Sequence, residues 1–344
     1  MLPDKNIQAY SSHGEQGGAG RTTTQSVEAL AEEFMAALSA EELEALQYDF
    51  NEASTAVWSN LPIRDAARHG LRLGDLEGKS LKAAHALAEA ALSAEGYKTM
   101  TEIIRADEYL RQDAGGMQWG SELYYIAIYG KPSANTPWML QITGHHLAVN
   151  LVFNGKQTSA TPMFVGVEPQ SFKADAAEVE AMAGRIGALA AFLNTLSTSE
   201  LGAAAIEGEI GDIILGPGKD RDFPEAPQGL AASALSQEQR DLIGHAIASW
   251  VMAAHADTAK ELLEAYLSEE AINQTYIGWN GSSDVMNSKS YIRIDGPRVW
   301  IELAGLQGAA YRDKVQIHTI WRDKAADYGA CFGLQENGHS EQIK

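Results

Sequence analysis

Segments with helix-like and strand-like patterns are segregated into long blocks along the chain, and this segregation limits the fold most strongly. Apolar residues recur at helical intervals in the predicted helices, which cover residues 26–46, 79–93, 100–111, 175–196, 236–250 and 254–267. β-Branched and aromatic residues mark the predicted strands, which cover residues 123–129, 138–153, 157–165, 272–279, 290–295, 299–303 and 315–321. Because helices and strands do not alternate one by one, we predict an α+β fold. It consists of an antiparallel sheet or partly closed barrel, built from both halves of the chain, with helices packed around it.

Length, charge and cysteine content exclude several classes of protein. The 344 residues, 45% of them hydrophobic, suffice for a globular core, and we predict a single domain over residues 25–344 after a disordered, polar arm over residues 1–24. The formal net charge of −20 argues against nucleic acid and against an anionic membrane surface as partners. No apolar run approaches the roughly 20 residues that span a bilayer, so membrane insertion is not expected. Cys331 is the only cysteine, which excludes an internal disulfide and a cysteine-rich metal site.

The C-terminal strands place charged residues on one face of the predicted sheet. Side chains alternate between the two faces of a strand, so Arg293, Glu302 and His318 share one face if the strands form a meander. A carboxylate, an imidazole and a guanidinium together can bind a metal ion, or position an acid and a base. The alternative is a solvated face, as is common in antiparallel sheets, on which Glu302 and Arg293 form a surface ion pair.

Two adjacent histidines follow Gly144 within the predicted strand 138–153. In a regular strand, His145 falls on the apolar side and His146 on the opposite side. We therefore expect His145 to be a core residue that is hydrogen-bonded to the backbone, and His146 to be functional. A bulge at Gly144 would redirect both side chains, so both remain candidates.

We predict that these segments meet around a divalent metal ion. His146 and His318 supply two imidazoles and Glu302 supplies a carboxylate, a set of ligands that suits zinc or non-haem iron. His145 is a further candidate ligand. Arg293 is predicted to hold an anionic group of a small-molecule substrate.

Two aspartates follow the last predicted strand. Asp323 and Asp327 are predicted to accept a hydrogen bond from a histidine ligand and so to orient its ring. The alternative is a charged turn at the end of a strand, with no role in a site.

Motifs in both halves of the chain occur together. They are Pro137-Trp138, Gly144-His145-His146-Leu147, Thr161-Pro162-Met163-Phe164-Val165-Gly166, Glu168-Pro169, Tyr291-Ile292-Arg293-Ile294-Asp295-Gly296-Pro297, Ile301-Glu302, Ile317-His318-Thr319, Arg322-Asp323 and Asp327-Tyr328-Gly329. In combination they resemble a mainly bacterial family, domain of unknown function 3500, over about residues 70–329. The resemblance names no activity. It implies another histidine two residues before His318, where this chain has Gln316, and this departure weakens any scheme that needs a His-x-His ligand pair.

The resemblance also bears on location. Members of the family are often exported, so we expect a periplasmic or secreted protein. The N-terminus lacks a basic segment followed by an apolar one, and a cytoplasmic location is expected if this N-terminus is the native one.

The candidate residues predict a metal-dependent enzyme, a hydrolase or an oxidoreductase, that acts on a small substrate. The alternative is a carbohydrate- or peptide-binding module without catalysis, in which Trp279, Tyr291 and Trp300 line a groove. A third hypothesis starts from Arg68-His69-Gly70, which matches the short signature of histidine phosphatases but lacks the apolar strand that leads into such a site. The sequence does not indicate an oligomeric state.

Overall fold

The computed structural model describes residues 26–174 and 176–333, and the predicted arm over residues 1–24 lies outside this part of the chain. The helices are α1 (Val27–Ala36), α2 (Ala40–Leu46), α3 (Glu52–Thr55), α4 (Gly78–Ala91), α5 (Ala94–Asp113), α6 (Ala183–Leu193), α7 (Thr198–Ala204), α8 (Gln237–Val251), α9 (Ala256–Tyr266) and α10 (Glu269–Asn273). None of the described helices combines the length and the hydropathy that crossing a bilayer requires. Short 3-10 helices cover Leu73–Asp75, Ser121–Leu123, Ala232–Ala234 and Asp327–Phe332.

The strands belong to both halves of the chain. They are β1 (Gln47–Tyr48), β2 (Leu71–Arg72), β3 (Tyr125–Tyr129), β4 (Trp138–Gly144), β5 (Leu147–Asn154), β6 (Gln157–Ser159), β7 (Met163–Val167), β8 (Phe172–Ala174), β9 (Ala177–Val179), β10 (Leu230–Ala231), β11 (Tyr276–Gly281), β12 (Ser290–Asp295), β13 (Val299–Gln307) and β14 (Val315–Asp323).

Twelve of these strands form one sheet, which confirms the predicted α+β class. The order is β1-β3-β4-β5-β7-β14-β13-β12-β11-β10, with β2 paired to β3 and β6 paired to β5. Neighbours along this path are antiparallel, except β1 and β3. The pairing of β7 with β14 joins the two halves of the chain. In the described residues the sheet is open, because β1 and β10 lie at opposite ends of the path.

The two faces of the sheet are covered by different kinds of structure. Helices bury a large apolar core against one face, to which Ile301 and Ile317 belong. Irregular segments cover the other face, and they place Trp58 against Phe164 and Ile213 in a cluster with Tyr291. Because both faces are buried, the charged side chains of the second face need partners inside the protein.

The predicted helix 175–196 is wrong in its first third. Helix α6 begins at Ala183, and β8 and β9 pair as a separate two-stranded sheet. Phe172 and Val179 lie opposite each other in this pair and are both buried, with Phe172 against the ring of Tyr109. This packing outweighs the helical propensity of the alanine-rich sequence.

Two observed strands differ from their predicted bounds: one predicted strand is divided, and the other begins later than predicted. The predicted hairpin partner 157–165 divides into β6 and β7, because Pro162 cannot donate to a ladder and separates them. The predicted strand 272–279 begins only at Tyr276, because Ser268 caps the short helix α10 in front of it.

A substitution at Gly144 tests how tightly this end of β4 is packed. An added Cβ would lie 2.3 Å from Cδ1 of Tyr124, whose ring is fully buried and whose hydroxyl donates to the carbonyl of His145 at 2.8 Å. We expect Gly144→Ala to lower the free energy of unfolding by about 1–3 kcal/mol, measured by urea denaturation, because the ring has no room to move. Gly187→Ala in α6 is the control: an added Cβ there meets no atom within 4 Å, and replacing a helical glycine gains roughly 0.5–1 kcal/mol. Equal stability of the two variants would contradict this argument.

Candidate functional site

His145 and His146 form the two-residue turn that joins β4 to β5. Gly144 pairs with Leu147 across the turn, so the predicted continuous strand over 138–153 is wrong at these two positions. His146 has a φ of 61°, in the left-handed region that histidine adopts more readily than most residues. Its carbonyl accepts from the amide of Gly166 at 2.8 Å, which ties the turn to β7. The turn brings both imidazoles together, whereas a regular strand would send them to opposite faces.

His146 contacts His318 of β14, although 172 positions separate them in the chain. Their Nε2 atoms are 3.2 Å apart, and the two ring planes are inclined at 66°. His318 pairs with Gly166 across β14 and β7, and an added Cβ on Gly166 would lie 3.0 Å from Cδ2 of His146. The lack of a side chain at position 166 therefore admits the ring of His146. Both rings are buried, so two of the four predicted ligands meet inside the protein.

The Nδ1 atoms of His145 and His318 each contact a carboxylate. Nδ1 of His318 donates to Asp212, with both carboxylate oxygens at 3.0 Å. Nδ1 of His145 donates to Oδ1 of Asp107 at 2.6 Å. These contacts fix each of these rings with a proton on Nδ1 and leave the lone pair on Nε2 when the ring is neutral. His145 is thus bonded to a carboxylate, and the expected bond to the backbone is replaced.

The rings of His145 and His146 are stacked. Their centroids are 3.8 Å apart, and their planes differ by only 25°. An imidazole lone pair lies in the plane of its ring, so two stacked, nearly parallel rings do not direct their lone pairs to one nearby point. His146 and His318, by contrast, approach each other edge to edge through Nε2.

Burial of His146 keeps its imidazole uncharged. It lowers the pKa of His146 well below its ordinary value, and the neighbouring rings of His145 and His318 lower it further. A hydrogen bond with the side chain of Gln316 acts in the opposite direction but does not outweigh burial. The imidazole of His146 is therefore neutral near pH 7, with one protonated nitrogen and one lone pair, and its Nε2 is at hydrogen-bonding distance from Nε2 of His318.

Asp107 and Asp212 were missed by the sequence analysis. Asp107 lies among the buried positions of α5, together with Ile103, Ala106 and Leu110. A carboxylate on the apolar face of an amphipathic helix is a signal that identifies such a residue. Asp212 lies in an irregular segment, where no periodic pattern marks it.

Glu302 and Arg293 lie on the predicted face but not at the imidazole pair. The register places Arg293 opposite Glu302, and Ala304 opposite His318, so the three predicted residues share a face. The alternative of a solvated face is wrong, since all three are buried. Arg293 stacks on Trp300 at 4.9 Å and donates to Gln228 at 3.3 Å.

The carboxylate of Glu302 is already occupied. It accepts from the indole of Trp300 at 2.6 Å, from the amide of Leu215 at 3.0 Å and from the amide of Ile214. Burial raises the pKa of this carboxyl above its usual value, and these three donors oppose the shift. Glu302 therefore binds backbone in this structure, and its contacts do not include a histidine.

Asp323 and Asp327 lie at the far end of β14. Asp323 accepts from the hydroxyl of Tyr266 at 2.8 Å and pairs with Arg298. Asp327 accepts from Arg322 at 2.9 Å and from the amide of Asp323 at 2.9 Å. The carboxylates that contact His145 and His318 are instead those of Asp107 and Asp212.

The aromatic residues of the alternative hypothesis do not border an open groove. Trp300 and Tyr291 are completely buried, and Trp279 is half-buried with its indole donating to the carbonyl of Leu201 at 2.9 Å. His69 is stacked on Tyr48 at 4.1 Å and hydrogen-bonded to Tyr129 at 3.1 Å.

The described residues do not assemble the predicted set of metal ligands. In residues 26–174 and 176–333, no group of three or more histidine, cysteine, aspartate or glutamate residues is arranged to hold a metal ion. The ligand set of His145, His146, Glu302 and His318 is therefore not assembled as a whole, and metal binding stays a prediction.

The chain belongs to the family described as "Protein of unknown function (DUF3500)", whose model matches residues 20–330. No curated protein and no solved structure matches the chain. Family membership confirms the resemblance but brings no reaction, cofactor or cellular location with it.

The raised pKa of Asp327 predicts how the stability of the fold depends on pH. Burial raises its pKa from 3.8 to about 6, against the opposing charge of Arg322. Since the folded pKa is the higher one, the proton stabilises the fold below about pH 4, and this contribution disappears as the pH rises through about 6. We expect the free energy of unfolding of wild type, relative to Asp327→Asn, to fall by on the order of 2–3 kcal/mol between pH 4 and pH 7. Urea denaturation over this range measures it, and a pH-independent difference would show that the carboxyl is not perturbed.

Proposed function

We propose that this member of the family is a metal-dependent enzyme whose ion binds between the Nε2 atoms of His146 and His318. The distance between these atoms carries the proposal. Two nitrogens that bind one tetrahedral zinc ion, each at about 2.0–2.1 Å, are about 3.3 Å apart. The observed separation is 3.2 Å, between two buried rings that meet edge to edge.

The protonation of both rings suits metal binding. A histidine binds a metal through a lone pair, and its other nitrogen commonly donates to a carboxylate that fixes the ring. Asp212 is this carboxylate for His318. His146 is neutral at physiological pH, because burial holds its pKa low, so little energy is needed to remove a proton before an ion binds.

Two imidazoles are fewer than the four protein ligands of a structural zinc site. Positions would therefore remain for water and for a substrate, and this openness is typical of catalytic sites. The side chain of Asp212 is 41% exposed, so the carboxylate that contacts His318 reaches solvent although both imidazoles are buried. A bound ion supplies Lewis acidity for hydrolysis if it is zinc, or redox chemistry if it is iron.

The other predicted residues have different places in this proposal. His145 lies parallel to His146 and is not assigned as a ligand of the same ion. Glu302 and Arg293 are buried in other contacts, and no substrate group is assigned to Arg293. The groove-binding alternative is not proposed, because Tyr291 and Trp300 are completely buried and Trp279 is half-buried.

Cobalt(II) provides the test, because its visible absorption reports the coordination of the bound ion. We expect wild type to bind about one Co²⁺ per chain, and His318→Ala to weaken binding at least about 100-fold, since one of two protein ligands is lost. His255→Ala is the control, because the side chain of His255 is half exposed and pairs with the exposed Asp257, at 4.0 Å. Elemental analysis of protein purified without added metal accompanies the titration. Equal Co²⁺ affinity of His318→Ala and wild type would refute the proposal.

A gain-of-function variant gives a second, independent test. Gln316 precedes His318 by two residues on the same face of β14, and its side chain hydrogen-bonds to His146. Gln316→His would place a third imidazole beside the pair, and we expect it to raise Co²⁺ affinity about tenfold or more. Gln307→His, at the end of the neighbouring strand β13, is the control for an added histidine. Unchanged affinity in Gln316→His would place the ion elsewhere.

A further inference from the structure

The segment between α7 and β10 crosses the polar face of the sheet without helix or strand of its own in residues 212–220. We call these nine residues the strap. A segment of this kind has backbone amides and carbonyls that need partners outside it. Long irregular segments in compact domains are commonly functional, and the strap includes Asp212, the carboxylate that contacts His318.

Glu302, on the sheet face that the strap covers, binds the first half of the strap. Its side chain is completely buried, and its two oxygens accept from the amides of Ile214 and Leu215. The indole of Trp300 is its third donor, at 2.6 Å. All three groups donate to the one carboxylate of Glu302. Any movement of the strap would therefore leave buried hydrogen-bonding groups without partners.

Arg322 binds the following residues of the strap. Its guanidinium is completely buried and donates to the carbonyls of Leu215 at 2.9 Å and Gly216 at 3.2 Å, and to Asp220 at 3.0 Å. Arg322 is opposite Trp300 in the β13–β14 register, and Glu302 is two residues along β13 from Trp300. The two anchors are therefore neighbours on one sheet face, and together they hold four strap residues.

We infer that Glu302 and Arg322 are positioning residues for the candidate site: they fix the strap so that Asp212 holds the Nδ1 proton of His318. The inference rests on the proposed function only for the consequence that Asp212 serves a metal ligand. Asp212 is 41% exposed and has no strand or helix to orient it. The amide of Ile213 donates to Oδ1 of Asp212 at 2.7 Å, and the next amide, that of Ile214, is bound by Glu302, so the anchored backbone orients the carboxylate.

The structure thus gives Glu302 a role that differs from direct ligation. A buried carboxylate that accepts two consecutive amides fixes the backbone direction at Ile214, and the preceding residues follow. Loss of these bonds frees Asp212 to turn into solvent. His318 would then lose the partner that selects its tautomer.

The tautomer of His318 in metal-free protein is the first measurement, by long-range ¹H–¹⁵N NMR of histidine-labelled protein. We expect wild type to carry the proton on Nδ1, and Glu302→Gln, Arg322→Lys and Asp212→Asn to lose this preference. Each of the first two variants removes one anchor, so the inference stays testable if one of them does not fold. Glu168→Gln is the matched control: Glu168 is equally buried and accepts the amides of Ala309, Ala310 and Tyr311, away from the strap.

Co²⁺ affinity is the second measurement. We expect Glu302→Gln and Asp212→Asn each to weaken binding about tenfold or more, and the double variant to be no weaker than the worse of the two, because both act through one contact. Failure of wild type to bind Co²⁺ would refute the proposed function, while the tautomer would still decide the inference. The inference is overturned if His318 keeps its Nδ1 proton in both anchor variants, or if Glu168→Gln changes the tautomer as much as they do.

Discussion

Burial of a polar sheet face is the constraint on which the rest of the structure depends. Glu302, Arg322 and Arg293 lie on that face, and a buried charge without partners costs several kcal/mol. The strap that covers the face has no ladder of its own, so its amides and carbonyls need partners too. The polar groups of the face and of the strap are each other's partners. Glu302 accepts hydrogen bonds from strap amides, and Arg322 donates to strap carbonyls. The polar face and its irregular cover are therefore complementary parts of one assembly.

The candidate site is located where this assembly reaches the β4–β5 turn. Strand pairing through β7 brings His318 to Gly166, and the missing side chain at Gly166 admits His146. Carboxylates from a helix and from the strap then fix the outer rings, with Asp107 on His145 and Asp212 on His318. Four separate parts of the fold thus contribute to a cluster that no single motif encodes.

The sequence predicted those features that follow from periodicity. Alternation along β12, β13 and β14 correctly placed Arg293, Glu302 and His318 on one face, because a strand has a period of two whatever covers it. It did not predict the turn at His145 and His146, since two histidines lack the Asn-Gly signal of a tight turn. The cover of the face was also missed, and with it the occupation of Glu302, because the strap has no repeating pattern. Contacts between irregular segments depend on tertiary packing, and local sequence does not carry that information.

The double anchoring of the strap has a consequence for the dynamics of the molecule. The amides of Ile214 and Leu215 donate to the carboxylate of Glu302, so they exchange with solvent when this part of the fold opens locally. The same opening carries Asp212 away from His318. The exchange rates of two backbone protons therefore measure how often Asp212 leaves His318, without any knowledge of what the protein acts on.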